Sequence, residues 1–120
     1  MPSASLVLLV EDDPIVLDST ADLLKDGGFD VIRATSRDEA MAILEDGPVP
    51  PVVVTDIGLA GEASGLDLAR TIAERWPHVR LLIVSGEFRP PHGAYPERAI
   101  FFTKPYAGGA LLSMVKSEEW

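Results

Sequence analysis

The chain has 120 residues, enough for one domain (1–120) that buries roughly two thirds of its unfolded surface. Its 47% hydrophobic and 24% charged content describe a folded globular chain and exclude a disordered one. The net charge of −9, from 19 acidic and 10 basic side chains, repels nucleic-acid phosphates and anionic lipid, so neither nucleic acid nor membrane is expected as a partner. Taken from the N-terminus, Met1 to Ser5 lacks the basic stretch of a signal peptide, and no apolar run reaches membrane-spanning length. A cytoplasmic location is the expectation. No cysteine is present, which removes disulfides and thiolate chemistry.

Ser5 to Val10 is a continuous apolar run and reads as a buried first strand, ending in Glu11-Asp12-Asp13-Pro14. Asp13 suits an N-cap and Pro14 the first helical position. Val16, Leu17, Ala21, Leu23 and Leu24 form the apolar face of the helix that follows, and Gly27-Gly28 stop it. Phe29 to Arg33 is a short second strand. Ser36 to Glu39 has capping-box form, and the helix it opens turns Ala40, Ile43 and Leu44 inward until Gly47-Pro48. Val52-Val53-Val54-Thr55 is a third strand, buried on both faces, and it stops at Asp56.

A third helix begins near Ser64-Gly65 with Leu66, Ala69, Ala73 and Trp76 on one stripe, and Pro77 ends it. Arg80 to Val84 is a fourth strand that stops at Ser85-Gly86. Pro90, Pro91, Gly93 and Pro96 leave Glu87 to Arg98 irregular. Ala99 to Phe102 is a fifth strand, followed by Thr103-Lys104-Pro105. Leu111, Leu112 and Val115 mark a last helix.

Strands alternating with helices argue an α/β fold with a parallel sheet and helices on both faces. Right-handed crossovers then bring every strand's C-terminal end to one edge, where open α/β sheets bind ligands. Glu11, Asp12, Asp56, Ser85 and Lys104 all fall at those ends. Crowded carboxylates repel, and a hard divalent cation such as Mg2+ relieves the repulsion. Glu11, Asp12, Asp56 and the Gly58 carbonyl offer it oxygen ligands. Asp56 can then attack phosphorus, while Lys104 and Ser85 meet the phosphoryl oxygens.

These pieces carry a resemblance. Val10-Glu11-Asp12-Asp13-Pro14, Val54-Thr55-Asp56, Val84-Ser85-Gly86 and Phe102-Thr103-Lys104-Pro105 together resemble a bacterial response-regulator receiver domain of two-component signalling, from end to end. The resemblance implies a flavodoxin-like, doubly wound five-stranded sheet in the order 2-1-3-4-5. It implies a phosphoacceptor, Asp56, that takes a phosphoryl group from a phosphohistidine with Mg2+ at the acidic pair. It implies a Ser85 and Phe101 switch, with the hydroxyl drawn inward and the aromatic rotating behind it, and a cis Lys104-Pro105 bond. The implied partners are a sensor histidine kinase or histidine phosphotransfer protein and a downstream protein target, with a homodimer left open. No separate substrate is implied, so the protein is not an enzyme beyond its own phosphorylation and dephosphorylation.

Three places depart from the family pattern. Ala60 stands where a proline is common, Gly65 lies one residue later than usual, and Glu87 to Pro96 replaces the fourth helix, which is expected to be short or irregular. With Pro90-Pro91 and Lys104-Pro105-Tyr106, the chain is similar to some alphaproteobacterial single-domain receivers. His78 and His92 read as surface residues, Trp76 as core packing and Trp120 as a frayed end. A flavodoxin-type flavin binder is excluded by the acidic loop after strand one, which repels phosphate. A haloacid-dehalogenase phosphatase needs a second aspartate where Gly58 stands. The remaining alternative is a receiver-like interaction module that works without phosphorylation.

Overall fold

The computed structural model describes residues 6–56, 64–85, 99–103 and 115. Five strands, β1 (Leu6–Val10), β2 (Asp30–Ala34), β3 (Val52–Asp56), β4 (Arg80–Ser85) and β5 (Ile100–Thr103), form one sheet in the order β2-β1-β3-β4-β5. Every neighbouring pair is parallel. This is the expected α/β sheet in the expected order.

The helices α1 (Pro14–Asp26), α2 (Arg37–Asp46) and α3 (Ser64–Arg75) connect the first four strands. They cover both faces, as the strand alternation requires. Leu8, Val10, Val53, Leu81 and Ile83 face α2 and α3, meeting Ala40, Leu44, Leu68 and Ile72. Val7, Leu9, Val52, Val54 and Leu82 face α1, meeting Leu17, Ala21, Leu24 and the helical residue Val115. Full burial of each such Leu or Val contributes about 1.5–3 kcal/mol. The acidic edge rests on this framework.

Local signals explain where the elements stop. Asp13 is extended and accepts hydrogen bonds from the amides of Ile15 and Val16, with Pro14 as the first helical residue. At the other end of α1, Gly28 takes φ +98°, a conformation that strains residues with a Cβ. Its amide donates to the Lys25 carbonyl and that of Phe29 to the Leu24 carbonyl, which closes the helix.

Ser36 caps α2 as expected, accepting from the Glu39 amide at 3.1 Å. Glu39, however, reaches past the cap. Its carboxylate accepts from the Thr35 amide at 2.6 Å and the Thr35 hydroxyl at 3.2 Å, so the box closes one residue earlier in the chain.

Several strand ends and one face differ from expectation: β3 runs through Asp56 and β4 through Ser85, each one residue further than expected. β2 begins at Asp30 and runs to Ala34, because Phe29 is spent closing the α1 stop while Ala34 pairs with Val10. β5 likewise runs from Ile100 to Thr103, opposite Leu82 to Ser85. In α3, Leu66, Leu68, Ala69 and Ile72 are all buried, a wider stripe than expected because the helix packs on both the sheet and α2. Trp76 packs against that core, as its spacing indicated, and Arg75 lies over its ring at 4.5 Å. Residues 87–98, and with them the expected irregular fourth segment and His92, lie outside the described residues. So do Trp120, Ala60 and the last helix apart from Val115.

Candidate functional site

The strand order reverses direction between β1 and β3, since β1 has β2 on one side and β3 on the other. Crossovers leaving these strands diverge there and open a crevice at their C-terminal ends. β1 ends at Val10, so Glu11 and Asp12 enter the crevice at once. β3 runs one residue further than its register with β1, which stops at Val10 opposite Thr55, and delivers Asp56 beside them.

Three carboxylates meet in that crevice. Glu11, Asp12 and Asp56 each offer an oxygen within 4.8 Å of the others. Glu11 and Asp56 are buried, at 3% and 7% exposure, whereas Asp12 is exposed. The Glu11 backbone is fixed by its amide, which donates to the Ala34 carbonyl at 3.0 Å. Its carboxylate also accepts from the Asp13 amide at 3.2 Å. Asp13 itself turns away to cap α1. Thus adjacent acids in one run do different work, two at the site and one at the helix start.

The donor set fits a hard divalent cation. All three ligands are carboxylate oxygens, which suit Mg2+ in preference to soft or borderline metals. Oxygens that all lie within 4.8 Å of one another are close enough for one small cation to be shared among them. Bringing like charges together in a partly buried site is unfavourable, and a cation reverses the sign of that interaction.

The remaining expected residues can be placed only by strand position. Val84 is opposite Asp56, so Ser85 is the next residue along β4 from the acidic group. Ser85 in turn is opposite Thr103, the residue before Lys104. Phe101 occupies β5 opposite Ile83. Gly58, Lys104 and the Lys104-Pro105 bond lie outside the described residues. One functional candidate escaped the sequence reading. The Thr55 hydroxyl, fully buried, donates to the Asp56 carbonyl at 3.2 Å. A hydroxyl in a buried strand was the available signal, since such a group needs a partner.

Elsewhere among the described residues the titratable groups are at least partly exposed. His78 is exposed, as expected. Arg33 pairs with Asp18, Arg37 with Asp67 and Arg75 with Glu45, all partly exposed. Among the described residues no helix is long and apolar enough to cross a membrane.

Comparison with known proteins places this geometry. A family model described as the response regulator receiver domain matches residues 7–116. The chain is 36% identical over 111 residues to the response regulator receiver protein Anae109_2439 of Anaeromyxobacter, covering 89% of this chain and 42% of that protein. It is 37% identical to a putative response regulator NtrX-like protein of Rickettsia bellii, covering 92% of this chain and 24% of that one. The chain therefore spans less than half the length of these curated relatives. Among solved structures, a response regulator receiver protein from Sinorhizobium medicae superposes with a TM-score of 0.87 at 28% identity, covering 96% of this chain and 94% of that one.

Proposed function

Because this chain belongs to the response regulator receiver domain family, we propose that it is a phosphoacceptor switch in which Asp56 takes a phosphoryl group from a phosphohistidine donor. The observation that carries the proposal is the convergence of Glu11, Asp12 and Asp56 at the point where the strand order reverses. An Asp56 carboxylate oxygen attacks phosphorus, the bond from phosphorus to the donor imidazole breaks, and the imidazole leaves with the electron pair. The product is an acyl phosphate on Asp56. Hydrolysis returns the carboxylate and inorganic phosphate.

Glu11, Asp12 and Asp56, with the Gly58 carbonyl, are the residues assigned to hold Mg2+. When bound, the ion supplies positive charge opposite the phosphoryl oxygens. Lys104 and Ser85 are assigned to those same oxygens, Lys104 by charge and Ser85 by donating a hydrogen bond. The position of Ser85, one residue beyond the partner of Asp56, supports its role. Ser85 and Phe101 form the switch pair that carries the change toward the surface, and Lys104-Pro105 is assigned a cis bond. The transferred group adds charge at a buried edge, which biases two arrangements of these strands.

The protein acts on no separate substrate; it catalyses its own phosphorylation and dephosphorylation. Its partners are a sensor histidine kinase or histidine phosphotransfer protein and a downstream protein whose affinity depends on the phosphoryl group, with homodimerisation a further option. A net charge of −9 argues against nucleic acid as a direct partner and is compatible with a cytoplasmic role in a phosphorelay. The test is incubation with acetyl phosphate and Mg2+, followed by intact-mass measurement and peptide mapping. One phosphoryl group on the peptide containing Asp56, absent from Asp56→Asn, is expected. Modification elsewhere, or none, contradicts the proposal.

A further inference from the structure

Thr55 directly precedes Asp56 in β3, and its placement bears on how that residue is held. It is fully buried in the centre of the sheet, opposite Val10 of β1 and Ile83 of β4. Asp56 comes one residue later, where the register continues only on the β4 side, opposite Val84. The backbone leaving Asp56 thus loses one of the two ladders that fix the residues before it. There the Thr55 hydroxyl donates to the Asp56 carbonyl at 3.2 Å. A buried hydroxyl without a partner is costly, so this bond is retained as long as the core is intact.

We infer that Thr55 is a positioning residue, whose hydroxyl, by holding the Asp56 carbonyl, sets the direction in which the Asp56 carboxylate meets Glu11 and Asp12. The inference rests on the phosphoacceptor reading and adds a residue to it. The bond closes a ring that contains both backbone torsions of Asp56, and its φ torsion sets where the side chain leaves the strand. Without it the strand end relaxes, and the carboxylate spends less time at the spacing needed for a shared cation and for attack on phosphorus.

The experiment compares Thr55→Val, Thr55→Ser and the wild type in three measurements: the Mg2+ dissociation constant, the phosphorylation rate with acetyl phosphate, and the melting temperature without Mg2+. Valine keeps the volume and removes the hydroxyl; serine keeps the hydroxyl and leaves a methyl-sized gap. Thr55→Val is expected to melt at or above the wild type, while Mg2+ affinity and phosphorylation rate both fall roughly three- to tenfold, the range a single hydrogen bond spans. Thr55→Ser is expected to melt lower, with affinity and rate within about twofold of the wild type. Stability and site function therefore move in opposite orders, which a purely structural role does not produce.

Should Thr55→Val fail to fold, Thr55→Ala against Thr55→Ser repeats the hydroxyl comparison at one temperature. The inference is overturned if the hydroxyl-free variants keep wild-type affinity and rate, or if Thr55→Ser falls as far as they do. A wild type that is not phosphorylated on Asp56 overturns the underlying reading instead, and the two failures are distinct.

Discussion

Two groups of carboxylates in this protein face opposite conditions. Along α1, Asp18, Asp22 and Asp26 are exposed at successive four-residue intervals, and Asp18 meets Arg33 from β2. Solvent screens these charges and the ion pair contributes little. At the crevice, Glu11 and Asp56 are buried beside Asp12, with all three carboxylates within 4.8 Å. Here like charges lie close together in a partly buried site, an arrangement that a cation turns favourable. The difference teaches that acidic composition alone says nothing about a site. What matters is where the fold makes charge expensive, because an expensive group persists for what it binds.

Substitutions separate the two groups. The largest effect is expected from Glu11→Gln, which removes one charge from the buried set and should weaken Mg2+ binding by more than about tenfold in titration calorimetry. Unchanged binding would remove Glu11 from the metal site. Asp56→Asn relieves repulsion, so without Mg2+ urea unfolding should show a gain of about 1–2 kcal/mol. Adding millimolar Mg2+ should stabilise the wild type and not this variant, because a ligand stabilises only a state that binds it. A loss of stability in Mg2+-free buffer would show that repulsion is not what dominates there.

Asp13→Ala sharpens the contrast inside a single run of acids. Asp13 caps α1 and lies outside the carboxylate group, so the variant should lose about 1 kcal/mol of stability with Mg2+ affinity within about threefold of the wild type. A tenfold loss of affinity would put Asp13 in the site. The smallest effect belongs to α1. Asp18→Asn breaks the Asp18 to Arg33 pair, whose side chains are 67% and 38% exposed, and should change stability by less than about 0.5 kcal/mol.

Most of the framework was readable in the sequence, and the reasons are specific. The β1 and β3 runs are apolar on both faces, Asp13-Pro14 opens a helix and Gly27-Gly28 closes one, and each signal acts within a few residues. The three carboxylates were legible for a different reason. A parallel sheet puts every strand's C-terminal end on one edge, so acids at two strand ends had to come near each other. Strand order came from family resemblance, because nothing local to β2 says on which side of β1 it lies.

What was missed depends on contacts between distant segments. Leu68 and Ile72, four residues apart, form a row of their own, but burying it takes α2 as well as the sheet. Glu39 was expected at the Ser36 cap and instead holds Thr35, since side-chain reach is decided by the approach of the chain and not by spacing. The Thr55 hydroxyl bond was passed over although its burial was a signal, because threonine in a strand is also an ordinary β-former.

The most direct test of the central claim is amide NMR with beryllofluoride and Mg2+, since beryllofluoride on a carboxylate stands in for the phosphoryl group. The account predicts shifts at Asp56, at Ser85 and along the strand β5 that carries Phe101, all lost in Asp56→Asn. An unchanged spectrum in a protein shown to bind Mg2+ would contradict it and leave a receiver fold that works without phosphorylation.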